Sequence, residues 1–145
     1  MKRTVKIRFV LDVDDGFPPV GAETMHASAA PRADVYVVDN TPFFALGVAL
    51  GDHVAARPAS DGVLEFESVI RESGAKAISI IHMEDGHVDV RAELTRKGCY
   101  CETGRFGTMA MLAVSVPPEC SYAPIRDFLA ELEDEGAISY SELAL

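Results

Sequence analysis

The feature that most constrains this chain is a period-two rhythm that is repeatedly cut short. Val5, Ile7 and Phe9 alternate with Lys6, Arg8 and Val10, the period of a strand that buries one face. Asp14-Asp15-Gly16-Phe17-Pro18-Pro19 then stops it, because glycine and tandem prolines cannot continue a ladder. A second strand is predicted over Glu23 to Ala29 and, after Pro31-Arg32-Ala33-Asp34, a third over Val35 to Val38. Leu50-Gly51-Asp52 reads as a tight turn into a strand from His53 to Arg57, and Asp61-Gly62 as a hairpin turn into a strand from Val63 to Arg71. Residues 1–76 thus read as about five short strands, a small β-barrel or open β-layer.

Between the third and fourth strands lies Asp39-Asn40-Thr41-Pro42-Phe43-Phe44-Ala45-Leu46. Asp39 or Asn40 can cap a short helix that Pro42 begins, and Gly47 and Gly51 hold it to little more than a turn. A proline-initiated apolar turn between strands is suited to plugging the end of a barrel, with Phe44 inward and Phe43 over the seam between the two halves. If both rings point outward beside Tyr36, the same segment is an aromatic binding lip.

The second half changes rhythm. Ala77 to His82 is a strand, and Asp85-Gly86 can cap a helix or turn a hairpin. Val88, Val90, Ala92 and Leu94 alternate, yet Val90 and Leu94 also stack at helical spacing; the ending Thr95-Arg96-Lys97-Gly98 favours helix, with basic residues in the last turn and glycine just past it. Tyr100 starts another strand, Gly104-Arg105-Phe106-Gly107 turns, and Met109 to Val116 is a strongly apolar strand closed by Pro117-Pro118. Ser121 is a candidate cap for the clearest helix, in which Ile125, Phe128, Leu129 and Leu132 form one stripe and Glu131, Glu133, Asp134 and Glu135 face water. Gly136 ends it, and Ala137 to Tyr140 forms a last strand. The order β-α-β-β-α-β predicts a ferredoxin-like arrangement. The expected class is therefore α+β, with a barrel-like subdomain over 1–76 and a ferredoxin-like subdomain over 77–145.

Early Asp-Gly-Phe-Pro-Pro, then Asp39-Asn40-Thr41-Pro42-Phe43-Phe44, Gly47-Val48-Ala49-Leu50-Gly51-Asp52-His53-Val54, Val116-Pro117-Pro118 and Tyr122-Ala123-Pro124 together resemble an uncharacterised bacterial family of domains of unknown function. The resemblance spans almost the whole chain. It supplies no catalytic residues to carry over.

Charge narrows the partners. The net charge is −10, with 8 basic against 11 acidic side chains in residues 1–76 and 5 against 12 in residues 77–145. Such a field repels a phosphate backbone, so direct nucleic-acid binding is not expected. No apolar run reaches the ~18 to 20 residues of a membrane-spanning helix, and the opening Met-Lys-Arg-Thr-Val-Lys-Ile-Arg is unlike a signal peptide. Cys99, Cys101 and Cys120 fit no secreted disulfide pattern, which agrees with a reducing cytoplasm.

Candidate chemistry is thin. Asp12-Val13-Asp14-Asp15-Gly16 with Glu23 imitates a calcium loop, but its glycine is fifth where the sixth is needed and prolines interrupt it. Cys99-Tyr100-Cys101 with His82 and His87 could hold zinc, although a lone Cys-x-Cys pair more often packs as two small hydrophobes. Cys120 near a helix start could have a lowered thiol pKa, yet no partner histidine is assignable. His26, His53, His82 and His87 appear singly. No metal, cofactor or catalytic residue is therefore expected, and the chain leans away from enzymes.

Two functions remain. One is an acidic protein-binding module of immunity or antitoxin type that covers a basic partner such as a nuclease toxin, using Glu131, Glu133, Asp134, Arg105 on a hairpin tip, and Phe43. The other is an enzyme or small-molecule sensor with a pocket between the halves near Asp39, Asn40, Asp52 and Arg105. A deep pocket with convergent polar groups favours the second; a flat acidic face favours the first.

Overall fold

The computed structural model describes residues 4–83 and 88–145. Strands β1 (Thr4–Val10), β2 (Ala22–Ala29), β3 (Val35–Val38), β4 (His53–Pro58) and β5 (Leu64–Arg71) follow one another and close into a barrel. β1 and β2 pair antiparallel from Thr4↔Ser28 to Val10↔Ala22. Closure comes from β1 beside β5, parallel, through Ile7↔Leu64 and Arg8↔Glu65. So short a seam is reinforced by Arg8, whose guanidinium donates to Asp61 at 2.8 Å and to Glu65 at 2.9 Å. The alternation read from β1 sends Ile7 and Phe9 inward, where Met25, Ala27, Val38, Val54 and Ala56 complete the barrel core.

Ala45 and Val48 join that core from the connection between β3 and β4. The connection is a plug, but no helix forms in it. The predicted cap by Asp39 or Asn40 is corrected by where the amides go. Glu23, on β2, accepts from the N–H of Phe43 at 2.6 Å, Phe44 at 3.0 Å and Ala45 at 2.9 Å, and Glu102 accepts from the N–H of Thr41 at 2.7 Å. Once remote carboxylates satisfy these donors, a helical turn has nothing to add.

The second half runs β6 (Lys76–His82), α1 (Val90–Arg96), β7 (Tyr100–Phe106), β8 (Met109–Val116), α2 (Ala123–Asp134) and β9 (Ile138–Ala144). Its sheet has the order β7-β8-β6-β9, and each pairing is antiparallel. The helical reading of the segment before Gly98 holds: Asp89 caps α1, its side chain accepting from the N–H of Ala92. Asp85-Gly86 and His87 lie outside the described residues.

Three boundaries differ from expectation. The β7–β8 hairpin turns only at Gly107-Thr108, since Phe106 still pairs with Met109 and Gly107 supplies the left-handed φ of 63°; Arg105 is therefore in the strand and not at a tip. Ser121 does not cap α2, which begins after Tyr122 with no side-chain cap and with a proline in its first turn. β9 extends to Ala144 because its whole length pairs with β6, from Ile138↔His82 to Ala144↔Ala77.

Both helices lie on one face of the sheet. Val90 and Leu94 of α1 and Ile125, Leu129 and Leu132 of α2 pack with Ile78, Ile80, Leu112, Val114, Val116 and Ile138. The opposite face, carrying Ala77, Ser79, Ile81, Met111, Ser139 and Ser141, is turned toward the barrel.

Candidate functional site

Where the barrel meets that second face they do not close completely. A cleft of about 460 Å³ remains, within the range of small-molecule sites. Its floor is Ser79 and Ile81 of β6, Met111 of β8, and Ser139, Ser141 and Leu143 of β9. Its walls are Phe9 and Phe66 from the barrel, Phe43 and Phe44 from the plug, and Phe17 from the β1–β2 loop.

The walls are fixed by ring packing. Phe9 stacks on Phe66 with centroids 4.5 Å apart. Phe106 meets Phe44 edge-on at 4.8 Å and Phe43 at 5.2 Å, and Phe17 meets Phe44 at 5.8 Å. Gly104 explains why Phe43 can lie so close to β7: a Cβ there would sit 2.7 Å from the Phe43 ring. Glu23 holds the backbone of the same wall through its three amide contacts.

The polar groups of the floor are hydroxyls. Ser79 is 4% exposed, and among the described residues its Oγ is the buried side-chain oxygen or nitrogen with no hydrogen-bond partner. Ser141 pairs with Ser79 across the β6–β9 ladder and Ser139 follows on the same face. An unpaired buried hydroxyl costs about 1–3 kcal/mol, so the Ser79 hydroxyl adds no hydrogen-bond stability to the sheet. Asp12 is the one charged residue of the described lining.

The sequence-predicted residues fall elsewhere, apart from Phe43, which is half-buried in the cleft wall. Asp52 is buried, and its two oxygens accept from the N–H of Ala49 at 2.9 Å and of Ser73 at 2.8 Å; it pins a turn. Asn40 accepts from the N–H of His26, and Asp39 is exposed at the end of β3. None of these three lines the cleft. Arg105 is exposed on β7. Glu131, Glu133 and Asp134 are exposed on α2, on the helix side of the sheet, and Glu133 also accepts from the N–H of Tyr140.

The cysteines belong to the helix side as well. Cys99 is buried in the core there, Cys101 and Cys120 pack against it, and burial pushes the Cys99 thiol up to about 11. Among the described residues no three histidine, cysteine or acidic side chains are grouped to hold a metal. On the same side, Tyr122 donates to Glu142 at 2.6 Å and Arg126 donates to it at 3.0 Å. Those two hydrogen bonds hold the Glu142 carboxyl below its ordinary range, and burial raises Tyr122.

Sequence reading missed Phe9, Phe17, Phe66, Ser79, Ser139 and Ser141. A signal was present for the serines: Ser79 interrupts Ile78 and Ile80, and Ser139 and Ser141 alternate with Ile138 and Tyr140. Small polar residues on the second face of a strand mark a face that does not pack tightly.

Residues 23–140 match the model of a family described as "Domain of unknown function (DUF4265)". A solved structure described as a novel crystal structure of a hypothetical protein from Neisseria gonorrhoeae superposes with a TM-score of 0.76 at 23% identity, covering 99% of this chain and 96% of that one. That likeness is one of fold. No curated protein matches the chain. Among the described residues, no helix is long and apolar enough to cross a membrane.

Proposed function

The chain belongs to the DUF4265 family of domains of unknown function, and from that premise we propose that it is a ligand-binding domain which holds a small, largely apolar molecule between its barrel and its sheet. One observation carries this reading: Ser79, whose buried Oγ has no hydrogen-bond partner, lines a phenylalanine-walled cleft of about 460 Å³. The described lining holds hydroxyls but neither histidine nor lysine to activate them, so the reading is of binding and not of catalysis.

The test uses 4-ethylphenol, a neutral aromatic probe with one hydroxyl. Titration followed by amide NMR is expected to give saturable shifts at Ser79, Ser139 and Ser141. Ser141→Phe, which fills the cleft from an exposed floor position, is expected to abolish them. Absence of saturable shifts in the unaltered protein would overturn the reading.

The acidic face of α2 supports a second reading, a docking surface for a basic partner such as a nuclease toxin, because Glu131, Glu133 and Asp134 are exposed together. Neutralising all three should weaken such a partner while folding is kept; equal affinity would reject it. The same proposal takes residues 1–76 and 77–145 as two subdomains, the second ferredoxin-like, supported by its βαββαβ order and its strand order. It places the protein in the cytoplasm, a location that its three free cysteines support.

A further inference from the structure

The cleft has an electrostatic sign. Asp12 is the charged group of its described lining, and Asp14 and Asp15 follow it on the exposed loop that also carries Phe17. No arginine, lysine or histidine stands among the described lining residues to offset them. The rim between this loop and the plug is apolar: Phe17 is 46% exposed and Leu46 is 74% exposed. Five phenylalanine rings stand around the interior, and aromatic faces attract cations while repelling anions.

On the floor of the cleft the polar side chains among the described residues, Ser79, Ser139 and Ser141, are neutral. Ser79 Oγ can give one hydrogen bond and accept others, and Ser79 belongs to the floor on β6 whereas Asp12 belongs to the exposed β1–β2 loop. A charge buried there would lose its hydration without a counter-charge. At the rim the same charge keeps its water and gains Asp12. The two ends of the site therefore ask for different groups on one molecule.

We infer, resting on the cleft reading above, that the ligand is an arylalkyl or similarly apolar amine: an apolar body among the phenylalanines, an uncharged hydrogen-bonding group at Ser79, and an ammonium at the Asp12 rim. Carboxylates of the same shape are disfavoured by sign. An exposed ion pair is modest, and here the attraction for a cation is joined by repulsion of the matching anion. The discrimination is accordingly about 5- to 10-fold and falls with added salt.

A matched set of probes tests this by calorimetry and amide NMR. Tyramine, 3-(4-hydroxyphenyl)propionate and 4-ethylphenol share a phenol and differ in the far group; phenethylamine keeps the ammonium and lacks the hydroxyl. Tyramine is expected to bind about 5- to 10-fold more tightly than the propionate, with phenethylamine weaker than tyramine by about 3-fold or more. Asp12→Asn, at an exposed position, should bring tyramine and the propionate within 2-fold of one another. Equal or tighter binding of the propionate, or an unchanged preference in Asp12→Asn, would overturn the amine while leaving a 4-ethylphenol site intact. If 4-ethylphenol also fails to shift the floor amides, both the amine and the cleft reading fall.

Discussion

On the helix side of the four-stranded sheet, Ile78, Ile80, Leu112 and Val114 are closed over by α1 and α2, and none is more than 1% exposed. On the barrel side, the other face of the same sheet includes Ser79 of β6 and Ser139 and Ser141 of β9, and they line an open cleft. Backbone and hydrogen-bond ladder are shared; only side-chain choice differs. Protein interiors are normally packed to the density of organic crystals. The helix face meets that standard and supplies stability, whereas the barrel face departs from it and keeps volume.

The comparison breaks most completely through its packed side. Leu129, fully buried on α2, replaced by aspartate puts a charge into that core, and a loss of about 4 kcal/mol or more is expected. Circular dichroism should show an unfolded or aggregated protein; an unchanged melting temperature would mean that α2 does not seal the sheet.

A smaller effect is expected from the cleft wall. Glu23→Ala leaves the amides of Phe43, Phe44 and Ala45 without their acceptor, at a cost of about 2–4 kcal/mol if water replaces part of it. Chemical denaturation should register that loss, with the amide signals of the plug broadening ahead of those of α2. If the plug signals stay sharp, something other than Glu23 fixes the wall.

The finest contrast is between neighbours. Ile80→Ala should cost about 2–5 kcal/mol, as a cavity in a tight core does, while Ser79→Ala should change stability by under ~0.5 kcal/mol or raise it, since its hydroxyl has no partner to lose. A Ser79→Ala loss of more than about 1 kcal/mol would show that the hydroxyl is satisfied in the folded protein.

The strands of the barrel were legible because each is set off by glycine or proline and alternates in between: β2 and β3 are found at or within one residue of the positions read from Glu23 to Ala29 and from Val35 to Val38. α2 was legible because Ile125, Leu129 and Leu132 repeat at helical spacing. The plug was misread as a helical turn because the groups that satisfy its amides, Glu23 and Glu102, are about 20 residues before it and about 60 after it. Local rules see Asp39 and Asn40; they do not see a carboxylate arriving from another strand. The cleft was illegible for the same reason. Phe9 and Phe66 stack across the closure of the barrel, and the serines acquire meaning only once the sheet's second face is set against those rings. The acidic residues Asp39 and Asp52 drew notice as charges, yet Asp52 spends both oxygens on backbone N–H groups.

The seam between β1 and β5 also orders events in time. Arg8 reaches Glu65 across 57 residues of chain, and Phe9 lines the same cleft as Ser139 and Ser141, about 130 positions further along the chain, so the cleft is built from non-local contacts. As the polypeptide emerges from the ribosome, the barrel can close while its phenylalanine rim still has no floor. The cleft is complete only when β9 joins the sheet, because Ser139, Ser141 and Leu143 of that strand form part of its floor.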